Sequence, residues 1–405
     1  MKMPAILEPL RNRDFRLLWI GQTSSRLGDS AYGVALPLQV LAIGGGPLDL
    51  GIVFSLSSIS RIALLLIGGS VVDRLPRRRV LIATDTAEGL IVAAIAFLGF
   101  TGRLEVEHLY LTAVLFGASG AFFTPALGAI IPDLVPEEIL VSGNALRGFS
   151  RQAGMILGPV IAGVLIAISG PPAAFAFDAA TFGLSLLALV FISSRPARAA
   201  RKGTSLLVEI REGWSYTFSV PWLWITIFGF AVINAAVVGP MVIGLPILVV
   251  DDLHANQSVY GLLLAAIGVG EVVGAVVTAQ VRRGRSGTVM YLYVFVEGLA
   301  VALFATLAPI PLLLVLAGVV GYGVMAFTVL WESALQQHVP RELLGRVTSI
   351  DYFGAILMAP ITPIAAALLV AAIGPPMLFL WGGLIASSLC LAAIVLPSIR
   401  QLRIA

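Results

Sequence analysis

The sequence predicts an all-α polytopic membrane protein: twelve transmembrane helices in two similar six-helix halves, related as parallel repeats. Three observations predict it. The composition is too apolar for a water-facing surface, the apolar residues gather into stretches long enough to cross a bilayer, and short motifs of the first half recur in the second at one offset.

Of 405 residues, 59% are hydrophobic and 12% are charged, and the mean hydropathy is +1.00. Soluble domains carry roughly 45–50% apolar and about 25% charged residues, so this chain has half the charge it would need to cover itself in water. The net charge of +3 is small, and no basic patch suited to nucleic acid is present. The single cysteine, Cys390, excludes an intramolecular disulfide and sits in an apolar run, where it acts as a small hydrophobe. His108, His254 and His338 are scattered without metal-ligand spacing, so neither a metal nor a cofactor is expected. Residues 1–16 lead into an apolar stretch too long for the core of a signal peptide, so the first helix is expected to stay.

A crossing takes about 20 mainly apolar residues. Such stretches run over 17–43, 50–72, 78–101, 107–131, 140–168 and 172–193 in the first half. In the second half they run over 221–250, 256–281, 287–308, 310–335, 343–372 and 375–397. Short connections make consecutive spans antiparallel neighbours. The exception is 194–220, with Arg195, Arg198, Arg201, Lys202 and Arg211, which reads as a cytoplasmic linker between an N-terminal half (1–193) and a C-terminal half (221–405).

Lysine and arginine concentrate in cytoplasmic loops. With the N-terminus inside, 20 of the 25 basic residues fall in inside segments and one, Arg103, in an outside loop. The other four, Arg26, Arg61, Arg147 and Arg151, lie within spans. Both termini are therefore expected in the cytoplasm.

The repeat fixes the architecture. Val135-Pro136-Glu137-Glu138 recurs as Val339-Pro340-Arg341-Glu342, Gly170-Pro171-Pro172 as Gly374-Pro375-Pro376, and Pro159 as Pro363, each 204 residues on. Gly69 with Arg77 and Arg78 recurs as Gly274 with Arg282 and Arg283 at offset 205. Six spans per repeat preserve orientation. In transporters built from such repeats, substrate binds near the midplane and the halves rock to alternate access.

The loop after the second span reads Gly69-x-x-x-Asp73-Arg74-x-x-Arg77-Arg78-Arg79. It resembles the signature of the major facilitator superfamily, with Pro76 where that family usually has Gly; the second copy has Thr278 in place of Asp73. A carboxylate there can cap the positive N-terminus of a neighbouring helix. The resemblance implies a latch that holds the cytoplasmic side closed, with its partner near 343–346. The null alternative for Arg74 and Arg77–Arg79 is simple membrane anchoring.

In the fifth span, Gly154-x-x-x-Gly158-Pro159-x-x-x-Gly163 combines glycines that allow close helix approach with a proline that weakens the helix. It resembles the Gly-Pro motif of exchangers in this superfamily, although plain packing explains the glycines equally well. Arg13-Asp-Phe-Arg-Leu-Leu-Trp19, Leu27-Gly28-Asp29 and Pro132-Asp-Leu-Val-Pro136 resemble the bacterial branch of macrolide and multidrug effluxers and siderophore (enterobactin-type) exporters. That resemblance implies a monomer in the bacterial cytoplasmic (inner) membrane.

Ionisable residues inside a membrane usually face a cavity or a partner. Asp29 and Arg26 are three apart on one helical face, close enough to pair. Glu271 has no basic residue within a helical turn in sequence, which suits a proton carrier or a packed, protonated glutamate. Arg147 and Arg151 share a face of the fifth span, about 10–17 Å from its cytoplasmic end. Offset 204 maps Arg147 onto Asp351, so the two are candidates for an inner gate. Arg61 is a lesser candidate for anion contact or for pairing with Asp29, and Asn234 occupies the repeat position of Asp29. Glu88 and Glu297 lie in spans that are peripheral in the resembling family, so structural roles are expected, and Glu332 is expected only to reach water. Phe122, Phe123, Met325, Phe327 and Trp331 fall in spans that line the cavity in that family and are candidates for a substrate pocket, with packing the commoner role of such side chains.

The expectation is a secondary active exporter of an amphipathic small molecule, a drug or siderophore-like compound, coupled to proton entry. The alternative within the same fold is an importer or facilitator of a metabolite or lipid-like solute. An enzyme is disfavoured: no nucleophile–base pair, metal cluster or phosphate loop is present. A channel lacks its charge ring and filter loop.

Overall fold

The computed structural model describes residues 5–193, 206–280 and 285–404. The first half contains helices α1 (Arg13–Ala42), α2 (Pro47–Arg74), α3 (Arg77–Phe100), α4 (Val106–Leu134), α5 (Leu140–Ser169) and α6 (Pro171–Val190). A further helix, α7 (Leu206–Ser219), lies in the segment read as linker. The second half contains α8 (Pro221–Asp252), α9 (Ser258–Gln280), α10 (Gly287–Leu303), α11 (Ile310–His338), α12 (Arg341–Leu357) and α13 (Thr362–Val395).

Local chemistry sets the boundaries. Asn12 caps α1, its side-chain oxygen accepting the amides of Asp14 and Phe15 at 3.0 and 3.3 Å. Pro47 opens α2, and Asp49 accepts the Gly46 amide at 2.7 Å. In the loop bearing the signature motif, Pro76 holds φ at −56° and its carbonyl accepts from Arg79 and Val80, so the turn into α3 forms with proline in the place of glycine. Helix α8 is α-helical to Gly239 and then runs through two π-type stretches, Pro240–Gly244 and Leu248–Asp252. Pro240 and Pro246 each remove an amide donor from the ladder, which favours such wider turns.

The repeat is visible in the backbone. Gly170 ends α5 at φ 76°, ψ 176°, and Gly374 adopts φ 80°, ψ 162° inside α13. This conformation is essentially confined to glycine, and a proline follows in both places. Gly374 therefore divides α13 into two helices. Among the described residues, ten helical segments are long and apolar enough to cross a membrane. One of these, Arg341–Val395, spans 55 residues and counts twice because of Gly374. Helix α1 is less apolar, carrying Arg13, Asp14, Arg16, Arg26 and Asp29, yet its 30 residues reach about 45 Å, long enough to cross. Among the described residues the crossings number twelve.

The chain divides into two compact units, residues 1–200 with 256–265, and 201–255 with 266–405. In the first, α1 packs on α5 and α6, α2 on α4, and α3 on α4 and α6. In the second, α8 packs on α12 and α13, and α10 on α11 and α13, which repeats the first pattern. Leu90, Phe97, Ile168 and Val395 are each more than 60% exposed, and large side chains like these are exposed on many helices. A monomer in water does not tolerate so much apolar surface; hydrocarbon covers it.

Candidate functional site: a buried charge cluster and an aromatic cavity

At the end of the first unit that carries the α2–α3 loop, Phe15, Leu81, Ile130, Leu134 and Leu146 form one apolar cluster that fixes the loop bearing the signature motif. Arg77 forms an ion pair with Asp133 of α4. Arg78 donates to the carbonyls of Leu189 at 2.8 Å and Val190 at 2.6 Å, where a cation meets the negative end of α6. Both arginines therefore bind α3 to neighbouring helices, beyond any role as topology anchors. Arg74 is exposed, and an added Cβ at Gly69 would meet open space. Asp73 ends α2, with its side chain outside the described residues. At the start of α12, where the latch partner was expected, Arg346 is paired with Glu212 of α7.

Deeper in the first unit the expected pair forms: Arg26 Nη1 lies 3.6 Å from Asp29 Oδ2, both side chains about one-third exposed. The Arg26 guanidinium also sits 5.8 Å from the ring centre of Phe123. Arg61 is close enough to act electrostatically on Asp29 and covers Gly120 of α4. Behind Asp29 lie three carboxylates on α3 and α6: Asp85, Glu88 and Asp178, with exposures of 1%, 8% and 0%. Ser185 donates to Asp85 at 2.6 Å and accepts from Gln22 at 3.1 Å; Thr181 donates to Asp178 at 3.3 Å. Asp29, Glu88 and Asp178 act on one another through their charges. Glu88 and Asp178, together with Asp85, form a group of acids shielded from solvent on the α3 and α6 side of α1.

The Gly-Pro motif positions this cluster. A Cβ at Gly154 would lie 3.0 Å from the Arg26 carbonyl, and one at Gly158 would collide with Ser30 and approach the Leu27 carbonyl to 3.0 Å. The two glycines thus seat α5 against the stretch of α1 that carries Arg26 and Asp29. Beyond Pro159, whose carbonyl faces Gly261, the first residues of α9 pack with the same unit beside Gly163. Arg147 joins Arg26, Gln22 and Ser150 around a small cleft, while Arg151 is exposed.

The second unit contains a cavity of about 270 Å³ between α8, α10, α11 and α12. Its aromatic wall is Phe230, Phe327 and Trp331, with Phe230 and Phe327 stacked at 3.8 Å between ring centres. Its polar wall is Thr226, Asn234, Thr328, Glu297, Glu332 and Asp351. Trp331 and Asp351 line the same cavity. The structure thus brings together Asn234, Phe327, Trp331 and Asp351. It leaves Met325 off the wall, and it places Phe122 against the apolar cluster of the first unit. Glu271 is 7% exposed on α9 and is not without a partner.

Residues 5–396 match the family described as Transmembrane secretion effector. The chain belongs to that family. It is a multi-pass membrane transporter of the major facilitator superfamily. It is 29% identical over 402 residues to the multidrug efflux pump Tap of Mycolicibacterium fortuitum, covering 96% of this chain and 97% of Tap. It is 26% identical over 371 residues to the enterobactin exporter EntS of Citrobacter koseri, covering 87% of each. Among solved structures, a bacterial homologue of the iron transporter ferroportin, inward-facing, superposes with a TM-score of 0.74 at 18% identity, over 94% of this chain and 98% of that one.

For this secretion effector, sequence reasoning missed Asp85 and Asp178 and assigned Glu297 and Glu332 away from any cavity. A signal was present. Asp178, Thr181 and Ser185 fall at i, i+3 and i+7, and Asp85 and Glu88 at i and i+3, each set a polar stripe on one face of an apolar helix.

Proposed function

We propose that the protein exports an amphipathic small molecule by proton antiport, with the two halves 1–193 and 221–405 alternating access across the bacterial cytoplasmic membrane as a monomer with both termini inside. Similarity along nearly the whole chain to a multidrug efflux pump supports export. The observation that supports the coupling is a set of buried carboxylates, Glu271 on α9 and the group behind Asp29 beside the positively charged Arg26, with Glu271 as the primary proton carrier in this reading. Opening and closing of the Arg26–Asp29 pair changes the charge beside the carboxylate and so its hold on a proton. The aromatic cavity supplies the apolar and polar surfaces that an amphipathic ligand requires. Asp73 acts as the cytoplasmic latch, and Arg147, Arg151 and Asp351 as parts of the inner gate.

Cells lacking the gene are expected to accumulate a substrate dye that the parent excludes, and dissipating the proton gradient should remove the difference. Exclusion that survives loss of the gradient would contradict proton coupling.

A further inference from the structure

The two halves differ in the charges they place inside the membrane. Spans of the first half carry Arg26, Arg61, Arg147 and Arg151. In the second half, residues 221–340 contain no lysine or arginine apart from Arg282, Arg283 and Arg285, which fall between the eighth and ninth spans, and 347–399 contain none. The same stretches carry Glu271, Glu297, Glu332 and Asp351. No basic side chain lines the cavity of the second unit, while three carboxylates do. Among the described residues none of these three takes part in an ion pair.

The placement of the carboxylates is selective. Glu297 is buried at 5% exposure, with room made for it by Gly323 of α11, where a Cβ would stand 2.7 Å from the Glu297 Cβ. The rest of the lining is an aromatic wall in which Phe230 and Phe327 stack at 3.8 Å and Phe327 and Trp331 at 6.2 Å between ring centres. Aromatic faces attract a cation and repel an anion. Uncompensated carboxylates do the same, more strongly in a partly desolvated site than in water.

We infer that the cavity of the second unit is a binding site for an organic cation bearing an apolar or aromatic body, packed against the wall of Phe230, Phe327 and Trp331 with its charge toward Glu297, Glu332 and Asp351. This rests on the export reading for its biological meaning and excludes catecholate or other anionic substrates from this cavity. Proton and cation compete there. A monovalent cation that binds a protonated carboxylate displaces one proton to the medium, and charge is conserved. The titratable groups facing the site are Glu297 from α10, Glu332 from α11 and Asp351 from α12; α8 offers only Thr226 and Asn234, and Cys390 of α13 lies near Glu297. Affinity for a permanently charged ligand therefore rises with pH, because only the ionised carboxylates attract it.

The test uses the purified full-length chain and two probes of similar size: phenyltrimethylammonium, whose charge does not titrate, and benzenesulfonate. Calorimetry at several pH values reads binding and proton release, with Trp331 fluorescence as a second readout. The cation should bind at least about tenfold more tightly than the sulfonate, with proton release and with affinity that grows with pH. Glu332→Gln and Asp351→Asn should each weaken the cation by about tenfold and leave the sulfonate unchanged. Glu332 is exposed, so its substitution leaves packing intact. Equal binding of the sulfonate, or unchanged cation affinity in both variants, overturns the assignment. Binding to purified protein needs no gradient. Failure here therefore leaves proton-driven export standing, and failure of export in vesicles leaves the site standing.

Discussion

Gly158→Ala tests whether the Gly-Pro motif seats α5 on the charged stretch of α1. The added methyl would overlap Ser30 Cβ and press to 3.0 Å on the Leu27 carbonyl and 3.4 Å on the Ala31 amide. Two of those three atoms are backbone, so a rotamer change cannot relieve the contact and the helices must separate. Overpacking of this kind costs about 1–3 kcal/mol. Glycine-to-alanine also gains helix propensity, about 1 kcal/mol, and that gain has to be removed from the comparison. Gly148 supplies the control: it lies in the same helix with nothing within 4 Å of an added Cβ. The difference between Gly158→Ala and Gly148→Ala then equals the steric cost alone, about 1–3 kcal/mol. Paired unfolding of the two purified variants measures it, and substrate export in cells reads whether displacing α1 also disturbs Arg26 and Asp29. Equal stability of the two variants would refute the close approach and leave the motif as a weak point in α5.

Cysteines introduced at Gly45, in the loop between α1 and α2, and at Ser205, in the basic segment before α7, should react with an impermeant reagent from opposite sides of the membrane; labelling of both in intact cells contradicts the orientation. Asp73→Asn should lower export without loss of insertion or folding, and unchanged transport would reduce the loop to the structural contacts of Arg77 and Arg78. Glu271→Gln should abolish uphill export while leaving ligand binding and downhill exchange. Asp29→Asn should weaken both transport and stability by leaving Arg26 partly buried without its ion pair, a cost of about 3 kcal/mol if fully desolvated. Uphill pumping by Glu271→Gln moves the coupling assignment to Asp29 and the acids behind it.

The fold was legible because the bilayer imposes strong rules on sequence. Each crossing must be long and apolar, and basic residues mark its cytoplasmic ends, so span positions and the repeat follow from Gly170, Gly374 and their prolines. The Arg26–Asp29 pair was legible because both residues lie on one helix, three apart. The meeting of Asp85 with Asp178 was not, because a polar stripe on one helix does not reveal whether its partner is lipid, water or a side chain on a distant helix. Their association depends on α6 packing against both α1 and α3. Glu297 was assigned to the periphery from the position of its span, yet it points inward, opposite Gly323. The residues 206–219 read as basic linker, but Trp214 and Phe218 stack on Phe228 of α8, and Trp214 meets Phe353 of α12 edge-on. That contact, with Glu212–Arg346, turns the last part of the linker into a docked helix.

Proton movement during substrate flux tests the central claim most directly. The purified protein is placed in liposomes with a pH-sensitive dye inside and loaded with a substrate that the gene-deleted cells accumulate. Outward flow of substrate should carry protons inward, acidifying the lumen in protein-containing liposomes and leaving protein-free ones unchanged, and an imposed proton gradient should drive the substrate uphill in the opposite direction. Substrate flux with no change in luminal pH, and no response to the gradient, would contradict proton antiport.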